Sequence, residues 1–215
     1  MLSGVGIALS VVCFVQFAIG FFNEFGNGSK IRAKIDRFFV HFFTPSGFPI
    51  LTLYFLYTYG CGKMHQSYYD TKIEVRGYIV LSALLCIDFL MYIIHRAEHA
   101  LKSTLHHHHH VHQRPKWFHA FDAHVMDTVF LILVPLHATT SIFHFCMFEY
   151  ILFGLLISTM FTLIHSEREV FFFDRFAKKL GLGTSHFHAQ HHFYRNVNYG
   201  HIFEYWDLLF GTFKA

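Results

Sequence analysis

Apolar residues run without a charge from 5 to 22. The stretch lacks a basic leader and a small-residue cleavage site, so the pattern predicts a retained anchor rather than a cleaved signal. Polar and glycine residues at 23–29 predict a turn. Lys30, Arg32, Lys34 and Arg37 then alternate with apolar positions up to 43, as in a helix lying along a membrane surface; a plain basic loop is the alternative. Thr44-Pro45-Ser46-Gly47 breaks the chain. Residues 48–60 are apolar but short of the roughly 20 residues that a span needs. A polar connection covers 61–76, and 77–94 forms a span that runs straight into His95. Residues 128–165 hold no Lys or Arg and are about twice the length of one span, which predicts a helical hairpin with its tip near His144–Glu149. The tail from Ser166 is more polar, with Gly181-Leu182-Gly183 as a break.

Composition agrees with that pattern. The 215 residues are 53% hydrophobic and 14% charged, with 29 phenylalanines, against about 25% charged in a soluble domain. The fold class expected is all-α: an integral membrane bundle of about four spans with a histidine-rich, metal-binding cytosolic cap. Residues 1–80 read as an anchor and interfacial region, and 81–215 as the domain that carries most of the histidines. The formal charge of +3 is too small and scattered to suggest nucleic acid as a partner. Cys13, Cys61, Cys86 and Cys146 show no C-x-x-C spacing and read as small core residues. Of the basic residues, four lie at 30–37, three at 61–76 and ten after His95. The positive-inside rule then places 30–37 and the region after 95 in the cytosol, with 61–76 lumenal.

The candidate chemistry lies in the histidines, 20 in all. His95 and His99 are four apart; His106, His109 and His110 follow a three-and-four spacing, as do His188, His191 and His192. On a helix such positions share a face, so each group offers two or three imidazoles to one point. Imidazole suits iron, zinc, copper or nickel and not magnesium or calcium. Three groups exceed what one four-coordinate zinc needs and suit a two-metal centre. A zinc-dependent membrane hydrolase and a metal transporter are the competing classes. The hydrolase needs fewer ligands and a general base. The transporter needs ionisable residues within several spans; residues 5–22 have none, Asp88 is the main one in 77–94, and His137 and His144 are the hint in the hairpin. A His137/His144 pair turned into the bundle interior would account for both without transport.

These motifs resemble the fatty acid hydroxylase superfamily of membrane di-iron enzymes. The resemblance rests on H-x3-H at His95/His99, H-x2-H-H at His106/His109/His110, and H-x2-H-H at His188/His191/His192. It extends to Asp88-x3-Tyr92-x2-His95-Arg96, Asn198-Tyr199-Gly200, Trp206-Asp207 and Phe210-Gly211-Thr212-Phe213-Lys214. Within the superfamily the chain is most similar to sterol 5-desaturases of the lathosterol oxidase type. Pro115, Phe118 and His124-Val125-Met126-Asp127 fall at that type's offsets when the second box starts at His106, and His165-Ser166 matches a further motif. The gap between the first two boxes is two residues shorter than in the family, which leaves His108 or His112 as substitutes; Phe187 and Val197 also depart from the sterol pattern.

The resemblance implies two iron ions held by His95, His99, His106, His109, His110, His124, His165, His188, His191 and His192, with O2 as co-substrate. It implies that 81–215 is catalytic and desaturates a sterol or related membrane lipid, with C–H hydroxylation as the alternative within the superfamily. It also implies residence in the endoplasmic reticulum, and a separate cytochrome b5 or similar electron donor, since no H-P-G-G haem segment occurs. Some of Glu98, Asp122, Asp127, Glu167 and Asp207 are expected to orient ligand rings. Arg96 and Trp206-Asp207 have a structural alternative, as an ion pair and an aromatic plug.

Overall fold

A computed structural model describes residues 31–71, 74–166 and 171–215, with Ser10, Phe14 and Ala18 as isolated positions. The expected anchor at 5–22 otherwise lies outside the described residues, as does Glu167. The described chain is helical, and its sole pairing of extended backbone is the bridge between Leu182 and Phe203. Three of its helices are long and apolar enough to cross a membrane: α3 (Gly77–Ala100), α5 (Val125–Ile142) and α6 (Met147–Ile164). Before them come α1 (Ile31–Phe42), where the surface helix was expected, and the short α2 (Phe48–Phe55). The single turn α4 (Thr104–His107) follows α3; α7 (Phe171–Lys179), α8 (Ser185–Tyr194) and α9 (Tyr205–Phe210) complete the chain.

The three long helices share one core. Ala83, Ile87 and Met91 of α3 meet Leu131 of α5 and Phe153, Phe161 and Ile164 of α6, all buried. Along α5, residues Thr128–Leu133 are wound more loosely, with π-type turns. Pro135 follows after Val134; it has no N–H to give the preceding turn, which is the usual origin of such local unwinding. The hairpin turns where the sequence places it, between Ile142 and Met147.

Glu149 fastens that end of the bundle. Its buried carboxylate accepts the Cys146 N–H at the start of α6 and the Arg76 N–H at the start of α3, and pairs with the Arg76 guanidinium at 2.8 Å. One side chain thus satisfies open backbone donors at two helix starts. Tyr68 wedges in beside it, its hydroxyl donating to the Thr140 and Phe143 carbonyls at the end of α5. His137 and His144 are both exposed, which corrects the expectation that they face the bundle interior. Exposure is possible there because Glu149 and Tyr68 already fill the interior.

At the other end a compact cap closes over α3 and α6. Two buried carboxylates organise it. Asp88, deep in α3, accepts the backbone N–H groups of His201, Ile202 and Phe203 at 3.1, 2.8 and 2.9 Å. Asp207 of α9 accepts those of Tyr199 and Gly200 at 2.8 and 2.7 Å, and the Thr212 hydroxyl. Loop 199–203 is therefore held from both sides. Gly200 has to be glycine, because a Cβ there would collide with the Phe203 carbonyl oxygen.

Candidate metal centre

His95 and His99 lie on the last two turns of α3, and His188, His191 and His192 on one face of α8, as helical spacing requires. The second box differs. Its helix stops at His107, and a tighter 3-10 turn carries His109 and His110. The break still turns His106, His109 and His110 inward and leaves His107 and His108 exposed. His165 closes the C-terminus of α6.

These nine side chains form two groups. His95, His99, His106, His110 and His191 bring their ligand atoms within 4.8 Å of one another, and so do His109, His165, His188 and His192. All are buried except His99, which is half-buried. In the first group, Nε2 atoms approach at 2.9 Å (His95–His106), 2.9 Å (His106–His110) and 3.1 Å (His110–His191). In the second the separations are 3.3 Å (His109–His165), 3.1 Å (His165–His188) and 3.1 Å (His188–His192).

The outer ring nitrogens decide what those approaches mean. The Nδ1–H of His95 donates to the Tyr199 carbonyl, that of His191 to Val197, that of His165 to Phe161 and that of His109 to Asp122. His106 Nδ1 donates to the Asp127 carboxylate at 3.0 Å. A neutral imidazole carries one proton, so each of these Nε2 atoms presents a bare lone pair. In the pair His109–His165 both rings are fixed this way, and two lone pairs face each other across 3.3 Å. Facing lone pairs repel unless a cation sits between them. Metal–imidazole bonds of about 2.0–2.1 Å put neighbouring ligand nitrogens roughly 3 Å apart, which is the spacing found. Burial pushes His109 down to about 4, and depresses His110, His165, His188, His191 and His192 as well, with neighbouring imidazoles adding to the effect, so these six rings are neutral. Both groups fit metal ions.

A third group, His112, His119 and Asp122, fails the same test. His119 Nδ1 accepts the Lys116 N–H, so its proton sits on Nε2, and His112 Nε2 donates to Asp122 at 2.8 Å. The group is a hydrogen-bonded cluster, and His112 does not join the inner ligands. His124, expected as a ligand, lies outside both inner groups. It is exposed, and its Nδ1 accepts the Met126 N–H at the start of α5.

Sequence reasoning passed over His201. It is buried, its ring 4.8 Å from that of His95 and 5.7 Å from that of His188, so it stands between the two groups. Burial pushes it down to about 3. A lone histidine with no partner at i+3 or i+4 gave no signal beyond its place directly after Asn198-Tyr199-Gly200.

Two cavities adjoin the centre. One of about 590 Å³ borders His99, His106 and His110 of the first group and carries Arg96, Lys102 and Arg195. The other, about 20 Å³, borders His109 and His165 of the second group and is lined by His201, Leu131, Ile132 and Phe161.

Comparison with known proteins places these residues in context. The fatty acid hydroxylase family model matches residues 80–212. The alternative squalene epoxidase of Phaeodactylum tricornutum is 35% identical over 222 residues, covering 98% of this chain and 63% of that protein. The lathosterol oxidase of Mus musculus is 28% identical over 173 residues, with coverage of 77% and 56%. The Delta(7)-sterol 5(6)-desaturase of Eremothecium gossypii is 27% identical over 161 residues, with coverage of 68% and 42%. The chain therefore spans less than two thirds of the length of each of these relatives. No solved structure matches it.

Proposed function

This chain belongs to the fatty acid hydroxylase family, and from that premise we propose that it is an oxygen-dependent di-iron membrane oxidoreductase that desaturates a sterol or related lipid. The observation that carries the proposal is the pair of buried imidazole groups whose Nε2 atoms converge at 2.9 to 3.3 Å. His95, His99, His106, His110 and His191 hold one iron in this reading, and His109, His165, His188 and His192 the other. When bound, the iron pair supplies oxygen activation and removal of hydrogen from an unactivated C–H bond.

The chain's own residues do the positioning. Asp127 and the Tyr199, Val197, Phe161 and Asp122 carbonyls fix five rings in the ligating tautomer. Asp88 and Asp207 hold the loop that supplies the Tyr199 carbonyl. In the net desaturation, a CH–CH unit, O2, two electrons and two protons give an alkene and two waters. The electrons come from a cytochrome b5-type donor. Residues 81–215 form the catalytic unit and 1–80 the anchor and interfacial region, in the endoplasmic reticulum membrane. The distribution of Lys and Arg supports a centre facing the cytosol.

A second reading has one observation in its favour: the relative matched over 98% of this chain is named an alternative squalene epoxidase. An epoxidase would join one oxygen atom to an isoprenoid alkene, with one water as the other product. Two experiments test these readings. Iron analysis and Mössbauer spectroscopy of the purified protein test the centre; zinc in both sites, with no iron taken up on reconstitution, would sink it. Expression in yeast strains lacking either the sterol 5-desaturase or the squalene epoxidase separates the substrates. Restored 5,7-diene sterols support the first reading, and restored squalene epoxide the second.

A further inference from the structure

Helix α9 carries an apolar stripe that the described chain covers only at its Tyr205 end, where the ring stacks on Phe203 and the hydroxyl donates to the Leu180 carbonyl. Tyr205, Leu208 and Leu209 fall at i, i+3 and i+4, and are 45%, 56% and 70% exposed. The side turned toward α3 holds Trp206, Asp207 and Phe210, of which Phe210 is itself 41% exposed. Trp206 packs on Phe89 of α3 at 4.8 Å between ring centroids, and Phe210 stacks on Tyr92 at 5.4 Å and 20°. Apart from Asp207, whose carboxylate is fully engaged, α9 is apolar on every side. That composition belongs in a protein core or in lipid.

The level at which α9 docks decides between the two. The apolar run of α3 ends at Ile94. Phe89 is five residues earlier, about 8 Å down the helix axis. α9 thus lies against the apolar part of a helix long enough to cross a membrane, not above it. The helix it docks on also presents apolar side chains outward: Ile93, one turn beyond Phe89, is 43% exposed, and Leu81 54%. Beyond α9, Phe213 is also exposed, while Lys214 sits over the Tyr194 ring at 4.4 Å. A basic residue flanking an apolar stripe is the arrangement found where a chain meets lipid headgroups.

We propose that α9 is seated in the bilayer, with Leu208 and Leu209 in contact with lipid acyl chains, so that the cap is sunk into the membrane rather than held above it. The inference rests on the reading of α3 as a span. It also links lipid to the metal centre, because Asp207 of the same helix holds the Tyr199 segment whose carbonyl accepts the His95 Nδ1–H.

The test is the accessibility of nitroxide labels at Leu209→Cys, Leu81→Cys and Asn196→Cys. The protein is iron-loaded, lacks its other cysteines, and is reconstituted in phosphatidylcholine vesicles. Leu209 should match Leu81, open to oxygen and closed to a water-soluble nickel chelate, while Asn196, on the cap, should be open to nickel. A nickel-accessible label at 209 with a lipid-exposed label at 81 overturns the inference and leaves the span intact. Water access at both positions overturns both. A label at 209 closed to both probes means that protein covers the stripe, as in a dimer, and also overturns the inference. In a chain changed only by Trp117→Phe, lipids brominated near the headgroup should quench Trp206; lack of quenching tells against a seated α9 without relying on the cysteine-free background.

Discussion

Replacing Asp88 with asparagine should loosen the cap without touching a ligand. The carboxylate accepts three backbone N–H groups and is wholly buried. An asparagine oxygen in the Oδ1 position can still accept from His201 and Ile202. Its amide NH2 then faces the Phe203 N–H, donor against donor. Loss of one charge-assisted bond costs about 1.5–3 kcal/mol, and a buried donor left unpaired about 1–3 more. Burying a neutral amide in place of a carboxylate returns part of this, which leaves about 2–5 kcal/mol. At 1.4 kcal/mol per decade, opening of loop 199–203 becomes roughly 30- to 3,000-fold more frequent. Amide hydrogen exchange of the protein in nanodiscs reads this directly. Residues 199–204 should lose protection by that factor while Arg76–Glu149, at the far end of α3, keeps its surroundings protected. Unchanged exchange at 199–204, with the protein folded, refutes the clamp. Asp88→Ala should cost more, since it leaves three donors without an acceptor.

Three further outcomes follow from the centre. His191→Ala should lose iron from the first group while the protein stays in the membrane, and His107→Ala, His124→Ala, His137→Ala and His144→Ala should keep it; full iron in the His191 variant contradicts the ligand assignment. Asp127→Asn should weaken metal binding about 10–100-fold by slackening the hold on His106, as measured by chelator competition; an affinity unchanged within error would remove Asp127 from the centre. In the metal-free protein, His109 and His201 are depressed to about 4 and about 3 against an unfolded value near 6.5. The unfolded chain then binds more protons than the folded one below pH 6.5, so stability is full above that pH and falls as pH drops toward 4. The slope is about 1.4 kcal/mol per pH unit for each histidine, or roughly 4 kcal/mol by pH 5 for the two. Denaturant unfolding at pH 7.5 and 5 checks the sign; equal stability would mean that these rings are solvated.

What the sequence made legible was local. The run at 77–94 and the block at 128–165, free of Lys and Arg, carry their length and polarity on their face, and helices occupy both. Spacing within the first and third boxes held because α3 and α8 are regular helices there. The second box was legible only in part. Its i/i+3/i+4 pattern presumed one helix, and the chain instead leaves helical winding after His107. His124 was misjudged for a similar reason. Its offset from the second box says nothing of which way it points once α5 begins, and there it serves a backbone N–H instead.

Long-range satisfaction of backbone donors was the part that no local pattern could carry. Asp88 and Asp207 look alike in the sequence, single acids among apolar neighbours, and Asp88 could be read as an ion-pathway residue. In the fold each is an acceptor for loop N–H groups that lie 113–115 and 7–8 positions away. A buried carboxylate is tolerable where several donors converge on it, and loop N–H groups are tolerable in a dry cap only where an acceptor meets them. Each need answers the other, so neither half can be read alone. The same closure brings His201 between the metal groups, since its backbone N–H is one of the three that Asp88 holds. Its ring position is therefore a consequence of the clamp, and a change at Asp88 should disturb the neighbourhood of both metal groups although it lies seven residues before the first ligand.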